Sequence, residues 1–166
     1  MSLSDRRAVV TVLMLGGSFA VAGCFQPMLA ADSAASSLQG RIGLPEIDGR
    51  FGYFLRKSLE ERLGEPSTSD WSLTINHRIQ RSGLAIAQDN SVTRITLTAI
   101  ADWRLRQRSN GAIVLKDQVI SRSGFNATTS LFATRQAEQD VERRLARDIG
   151  ERISRHIQSH SKELTG

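Results

Sequence analysis

The sequence predicts an α+β fold of order β-α-β-β-β-α: one four-stranded, mostly antiparallel sheet with two helices packed on one face. Three observations predict it. Two long segments, Trp71–Ile79 and Ile95–Arg106, alternate apolar and polar residues with period two, the signature of half-buried strands. A Ser109-Asn110-Gly111 turn sends the second of them back into a partner. Two segments carry apolar residues at helical spacing and must bury those stripes against something, and the sheet is the only surface on offer.

The elements follow in chain order. Leu38–Ile47 reads as a strand, with Leu38, Ile42 and Leu44 apolar and Pro45 making it an edge or ending it. Asp48 is placed to cap a helix in which Phe51, Phe54, Leu55, Leu59 and Leu63 recur, and Gly64 and Pro66 stop it. In the next strand Trp71, Leu73, Ile75, His77 and Ile79 share one face, and Ser72, Thr74, Asn76 and Arg78 the other. A loop rich in Gly83, Gln88, Asp89 and Asn90 follows. The longest strand sets Ile95, Leu97, Ala99, Ala101, Trp103 and Leu105 against Thr96, Thr98, Asp102, Arg104 and Arg106. Ile113–Phe125 returns as its partner, with Leu115, Val119 and Phe125 on one face. The last helix runs from about Ala133 to His160. Its apolar residues, Ala137, Val141, Leu145, Ile149, Ile153 and Ile157, lie four apart, so the stripe winds slowly around the axis. Asp140/Arg144, Asp148/Arg152 and Glu151/Arg155 are opposite charges one turn apart on its outside.

The N-terminal segment is of a different kind. Arg6 and Arg7 precede fifteen uncharged residues, Ala8–Ala22, and then Gly23 and Cys24. A basic start, a short apolar run and small residues before a break are the layout of an export signal. The run is shorter than the roughly 20 residues a membrane-spanning helix needs. Val21-Ala22-Gly23-Cys24 resembles the bacterial lipobox, in which the cysteine thiol accepts a diacylglycerol and cleavage leaves that cysteine first. By that resemblance Cys24 is a lipid attachment point. Several acyl chains on one residue make release from a membrane rare. Phe25 stands where the related bacterial system uses Asp to keep lipoproteins at the inner membrane, which directs the chain to the periplasmic side of the outer membrane.

The expected organisation is a signal peptide over 1–23, a flexible tether over 24–37, one domain over 38–160 and a tail over 161–166. Of 22 basic and 17 acidic side chains, Arg6, Arg7 and Asp5 precede Cys24, so the mature chain carries 20 and 16, a net charge of +4. Only Lys57, Lys116 and Lys162 are lysines; the excess is arginine, whose planar fork suits phosphate and carboxylate. Export separates the chain from nucleic acid. A single cysteine forms no internal disulfide. There is no CxxC, no Gly-rich phosphate loop, no nucleophile elbow and no set of His and Cys at metal-ligand spacing, so an enzyme, a cofactor and a metal are not expected. His156 and His160 are four apart but lack a third ligand. His77, on an apolar face, reads as a core histidine with a satisfied hydrogen bond, and Trp71 and Trp103 as core.

Element order, lipobox and the residues after Cys24 together resemble the LPS-assembly lipoprotein family (LptE), many of whose members read Gly-Cys-Gly-Phe-x-Pro-Leu-Tyr at the start of the mature chain. Gly23-Cys24-Phe25-Gln26-Pro27-Met28-Leu29 keeps the Cys, Phe and Pro. Gly111-Ala112-Ile113-Val114-Leu115, and Phe132-Ala133 before an Arg- and Glu-rich helix, match the later pattern. The resemblance implies a lipoprotein that plugs and helps assemble a large outer-membrane β-barrel, the LPS translocon (LptD-like), and contacts LPS without covalent chemistry. Arg104, Arg106 and Arg108, with Lys116 across the turn, are the candidate contacts for LPS or another anionic surface; the alternative is a solvated sheet face. An auxiliary lipoprotein of a periplasmic phospholipid transporter is the competing function.

Overall fold

A computed structural model describes residues 35–86 and 92–165. The signal-peptide segment, Cys24 and most of the expected tether lie outside the described residues. The architecture matches the α+β expectation. Strands β1 (Ile42–Gly43), β2 (Trp71–Ile86), β3 (Val92–Gln107) and β4 (Ile113–Asn126) form one sheet in the order β1-β2-β3-β4. β1 pairs parallel to β2; the other pairs are antiparallel. Helices α1 (Gly49–Leu63) and α2 (Leu131–Ser159) cover the inner face.

The alternation read from β2 and β3 holds. Trp71, Leu73 and Ile75, and every residue of the set Ile95, Leu97, Ala99, Ala101, Trp103 and Leu105, are buried. Against them lie Phe51, Leu55, Leu59 and Leu63 of α1, and Val141, Leu145, Ile149, Ile153 and Ile157 of α2. Both tryptophans are core residues, Trp103 at 1% exposure. At about 25 cal/mol per Å2 of apolar area buried, this layer is the main source of stability in a chain with no internal disulfide.

Four expectations need correction. The first strand, expected over Leu38–Ile47, is only Ile42–Gly43. Ser36–Leu38 form a 3-10 turn with Leu38 buried, so the ordered fold begins inside the stretch read as tether. The reason is Gly40. At φ +71° it breaks the extended chain, its N–H donates to Leu63 O at 2.8 Å, and its carbonyl accepts from Ser67 N at 2.8 Å. Its backbone seats against Gly64, the α1 C-cap at φ +82°, where a Cβ would come within 2.8 Å of Gly40 N. Second, Gly83 is not in a loop: β2 runs on to Ile86 with a register shift near it. Third, the expected tail is a short helix, α3 (Ser161–Thr165), with Ser161 buried and Leu164 packed on the core. Fourth, only one outer ion pair on α2 forms as expected, Asp148–Arg152 at 2.9 Å. Asp140 meets Arg143, and Glu151 reaches across to Arg62 of α1 at 2.8 Å. An interhelical partner presented at the right height wins over an intrahelical pair worth a few tenths of a kcal/mol. Asp48 occupies the cap position of α1, but its side chain makes no cap bond.

Candidate functional site: the outer face of the sheet

The helices leave the other face of the sheet uncovered. Period-two geometry sends the even-numbered residues of β2 and β3 to it. β3 contributes Arg94, Asp102, Arg104 and Arg106, and β2 contributes Arg78. β4 contributes Lys116 and Arg122. Six cations thus share the face with one acid among the described residues.

The register brings the predicted residues together. Arg104 lies directly between Thr74 of β2 and Lys116 of β4, and Arg106 between Ser72 and Ile113. Arg108 follows the last residue of β3, where its N–H extends the ladder to Asp70 O at 2.8 Å. All four side chains are exposed. None of the four makes an ion pair among the described residues, although Arg41, Arg56, Arg62, Arg78, Arg81 and Arg152 all do. Like charges opposite each other on neighbouring strands are destabilising. Arg104 facing Lys116 is therefore an electrostatic cost that the fold carries.

The one acid on this face is already engaged. Asp102 accepts from Gln118 Nε2 at 2.7 Å and from Arg78 Nη1 at 3.1 Å. The Gln118 bond, then the Arg78 hydrogen bond and charge, then the nearby Arg104 charge hold its carboxyl below the usual carboxylate range. Ile100 and Ile120, paired across β3 and β4, set a small apolar patch next to this cluster; Ile120 is 39% exposed. The four predicted residues are part of a larger set. Arg78, Arg94 and Arg122 enlarge the basic face, and the same alternation that found Arg104 contains them.

The histidines have other settings. His77 is half-buried and stacks on Phe51 at 5.0 Å; among the described residues its ring makes no hydrogen bond, so the expectation of a satisfied core histidine fails on that point. His156 pairs with Asp117 at 3.1 Å, meets Trp103 edge-on at 5.2 Å and stacks on His160 at 4.9 Å. No group of three metal-ligating side chains occurs among the described residues.

Several solved structures with the same fold come from proteins described as lipoproteins. A lipoprotein of Caulobacter crescentus CB15 is 24% identical with a TM-score of 0.64, covering 78% of this chain and 96% of its own. Rare lipoprotein B from Shewanella oneidensis is 12% identical with a TM-score of 0.59, covering 75% and 97%. A minor lipoprotein from Acinetobacter baumannii is 15% identical with a TM-score of 0.56, covering 72% and 89%. At these identities the likeness is one of fold. No curated protein matches the sequence. The decisive match is to a family, lipopolysaccharide-assembly (LptE), over residues 32–157. The chain belongs to the LptE family. Its place is therefore in LPS assembly, in a family of outer-membrane lipoproteins. Within the LptE match lie all of β2, β3 and β4 and hence the whole basic face.

Proposed function

We propose that this LptE-family chain is the lipid-anchored partner of a large outer-membrane β-barrel, the LPS translocon, which it plugs and helps assemble, and that its basic sheet face contacts LPS. The observation that carries the reading is an exposed cationic face, without internal partners at Arg104, Arg106, Arg108 and Lys116, inside the stretch that matches an LPS-assembly family. LPS presents phosphates on a lipid carrier. Arginine forks on a rigid strand offer charge-assisted hydrogen bonds to phosphate oxygens at little further ordering cost. Cys24 carries the lipid, residues 1–23 are the removed signal, and the following residues tether the fold to the periplasmic side of the outer membrane.

Two measurements test this. A tag after Gly166, mild extraction of outer membranes and mass spectrometry should recover one large barrel in near-equal amount. Recovery with an inner-membrane transporter, or alone, sinks the translocon reading. Separately, Arg104→Gln/Arg106→Gln/Lys116→Gln should weaken LPS binding and flatten its salt dependence without unfolding the sheet. Unchanged binding removes this face from the contact.

A further inference from the structure

We infer that a second site, on the helical side of the molecule, binds a sugar ring. An open cleft of about 460 Å3 lies where the start of α1, the middle of β2 and the first half of α2 meet. Its volume falls within the roughly 300–1,000 Å3 of small-molecule sites. Asp48 comes from the cap position of α1, Arg50 from its first turn, His77 from β2, and Arg135, Gln139 and Glu142 from α2. Positions 135, 139 and 142 fall on one stripe of a helix, so all three reach the same opening.

What distinguishes this cleft is that most of its polar side chains face solvent without a partner within the protein. Among the described residues, Asp48, His77, Arg135 and Gln139 make no side-chain hydrogen bond or ion pair, and Glu142 has no hydrogen bond either. The neighbouring Glu138 does not share this state, because Arg81 Nη1 donates to it at 2.9 Å. Burial raises the Glu142 carboxyl above the usual range; the Arg50 charge opposes that shift and the Glu138 charge adds to it. A half-buried acid with no donor of its own is a poor arrangement for the free protein.

The mixture selects the ligand class. Arg50 and Arg135 only donate; Asp48 and ionised Glu142 only accept; Gln139 and neutral His77 do both. A phosphate would satisfy the arginines and be repelled by the acids, and a simple cation would meet the reverse. A neutral polyol satisfies both, because each hydroxyl donates once and accepts as well. His77 stacks on the buried Phe51, which fixes the imidazole at the β2 side of the cleft. The sugar is either free or part of a lipid-linked glycan. This proposal is independent of the basic sheet face.

The test is saturation-transfer NMR on the full processed protein in a sugar-free amine-oxide detergent. The probes are methyl α-D-glucoside and maltose, with arginine and glutamate as charged controls. Saturation transfer to a sugar is expected, and Arg135→Ala/Gln139→Ala, both on the cleft rim, should weaken it at least about tenfold. Arg104→Gln should leave it unchanged, which separates this site from the proposed LPS face. Transfer to neither sugar, transfer only to the amino acids, or full transfer in a folded double variant overturns the proposal. Oligosaccharide released from LPS by mild acid is then added in competition. Displacement at lower concentration than maltose supports a site for a lipid-linked glycan, and equal or weaker displacement supports one for free sugar.

Discussion

The two long helices meet closely at Gly150 of α2 and Ser58 of α1. A Cβ built on Gly150 would stand 2.7 Å from Ser58 Oγ and 2.8 Å from Ser58 Cβ. The hydroxyl can rotate away; the Cβ cannot. Gly150→Ala therefore forces the helices apart. Overpacking of this kind costs about 1–3 kcal/mol. Alanine in a helix interior returns about 1 kcal/mol relative to glycine. The net expectation is a loss of roughly 0–2 kcal/mol where an open helical site would gain about 1. A double-mutant cycle isolates the contact. Ser58→Gly removes the opposing Cβ and should relieve the clash, so Gly150→Ala/Ser58→Gly should show a favourable coupling of about 1–2 kcal/mol. Ser58→Ala keeps the Cβ and should relieve little. It also deletes the bond from Ser58 Oγ to Arg147 O, long at 3.3 Å and so a small loss. The assay is urea unfolding with the slope monitored for constancy. If Gly150→Ala alone stabilises the protein by about 1 kcal/mol, or Ser58→Ala rescues as well as Ser58→Gly, the steric reasoning is wrong.

Three further outcomes follow from the same structure. Ser130 Oγ accepts from Ala133 N at 3.3 Å to cap α2, so Ser130→Ala should cost about 1 kcal/mol and raise amide exchange in the first turn of that helix. The two shifted carboxyls give opposite pH signatures. The Asp102 value is lowered, so its contribution is complete above its unfolded value and is lost as pH falls through the folded one; Asp102→Asn should flatten that acid limb in pH-dependent unfolding. The Glu142 value is raised, so its penalty is absent below the unfolded value, develops as pH rises, and is complete above the folded one; Glu142→Gln should stabilise at neutral pH and not below pH of about 4.

The parts of the fold legible in the sequence are those where one face of a regular element is buried along its whole length. β2, β3 and the α2 stripe are of this kind, because burial imposes their period directly. β1 is not. Two residues carry no period, and their place is set by Gly40, Gly64 and the loop after α1, which meet only in the folded chain. Charge partners were legible only in part for the same reason: Glu151 finds Arg62 on the other helix, and no spacing within α2 announces it. The sugar cleft was invisible, since its residues come from three elements and only their convergence makes it.

The basic face was legible as a list of arginines, but its geometry depends on one residue. At the tip of the hairpin Arg106 pairs with Ile113. Carried on without interruption, that register would set Leu105 opposite Val114, Arg104 opposite Leu115 and Trp103 opposite Lys116, turning the lysine toward the core. Instead the register shifts, and Leu105 pairs with Leu115 and Arg104 with Lys116. Val114 is the extra residue. A one-residue slip moves every following side chain to the other face. The bulge therefore sends Lys116 and Arg122 outward and Val119 and Phe125 into the core in a single step. The burial of Val119 and Phe125 holds the bulged register against the unbulged one, which would expose both. The clustering of Arg104 and Lys116, electrostatically unfavourable by itself, is thus stabilised by apolar packing on the opposite side of the same strand.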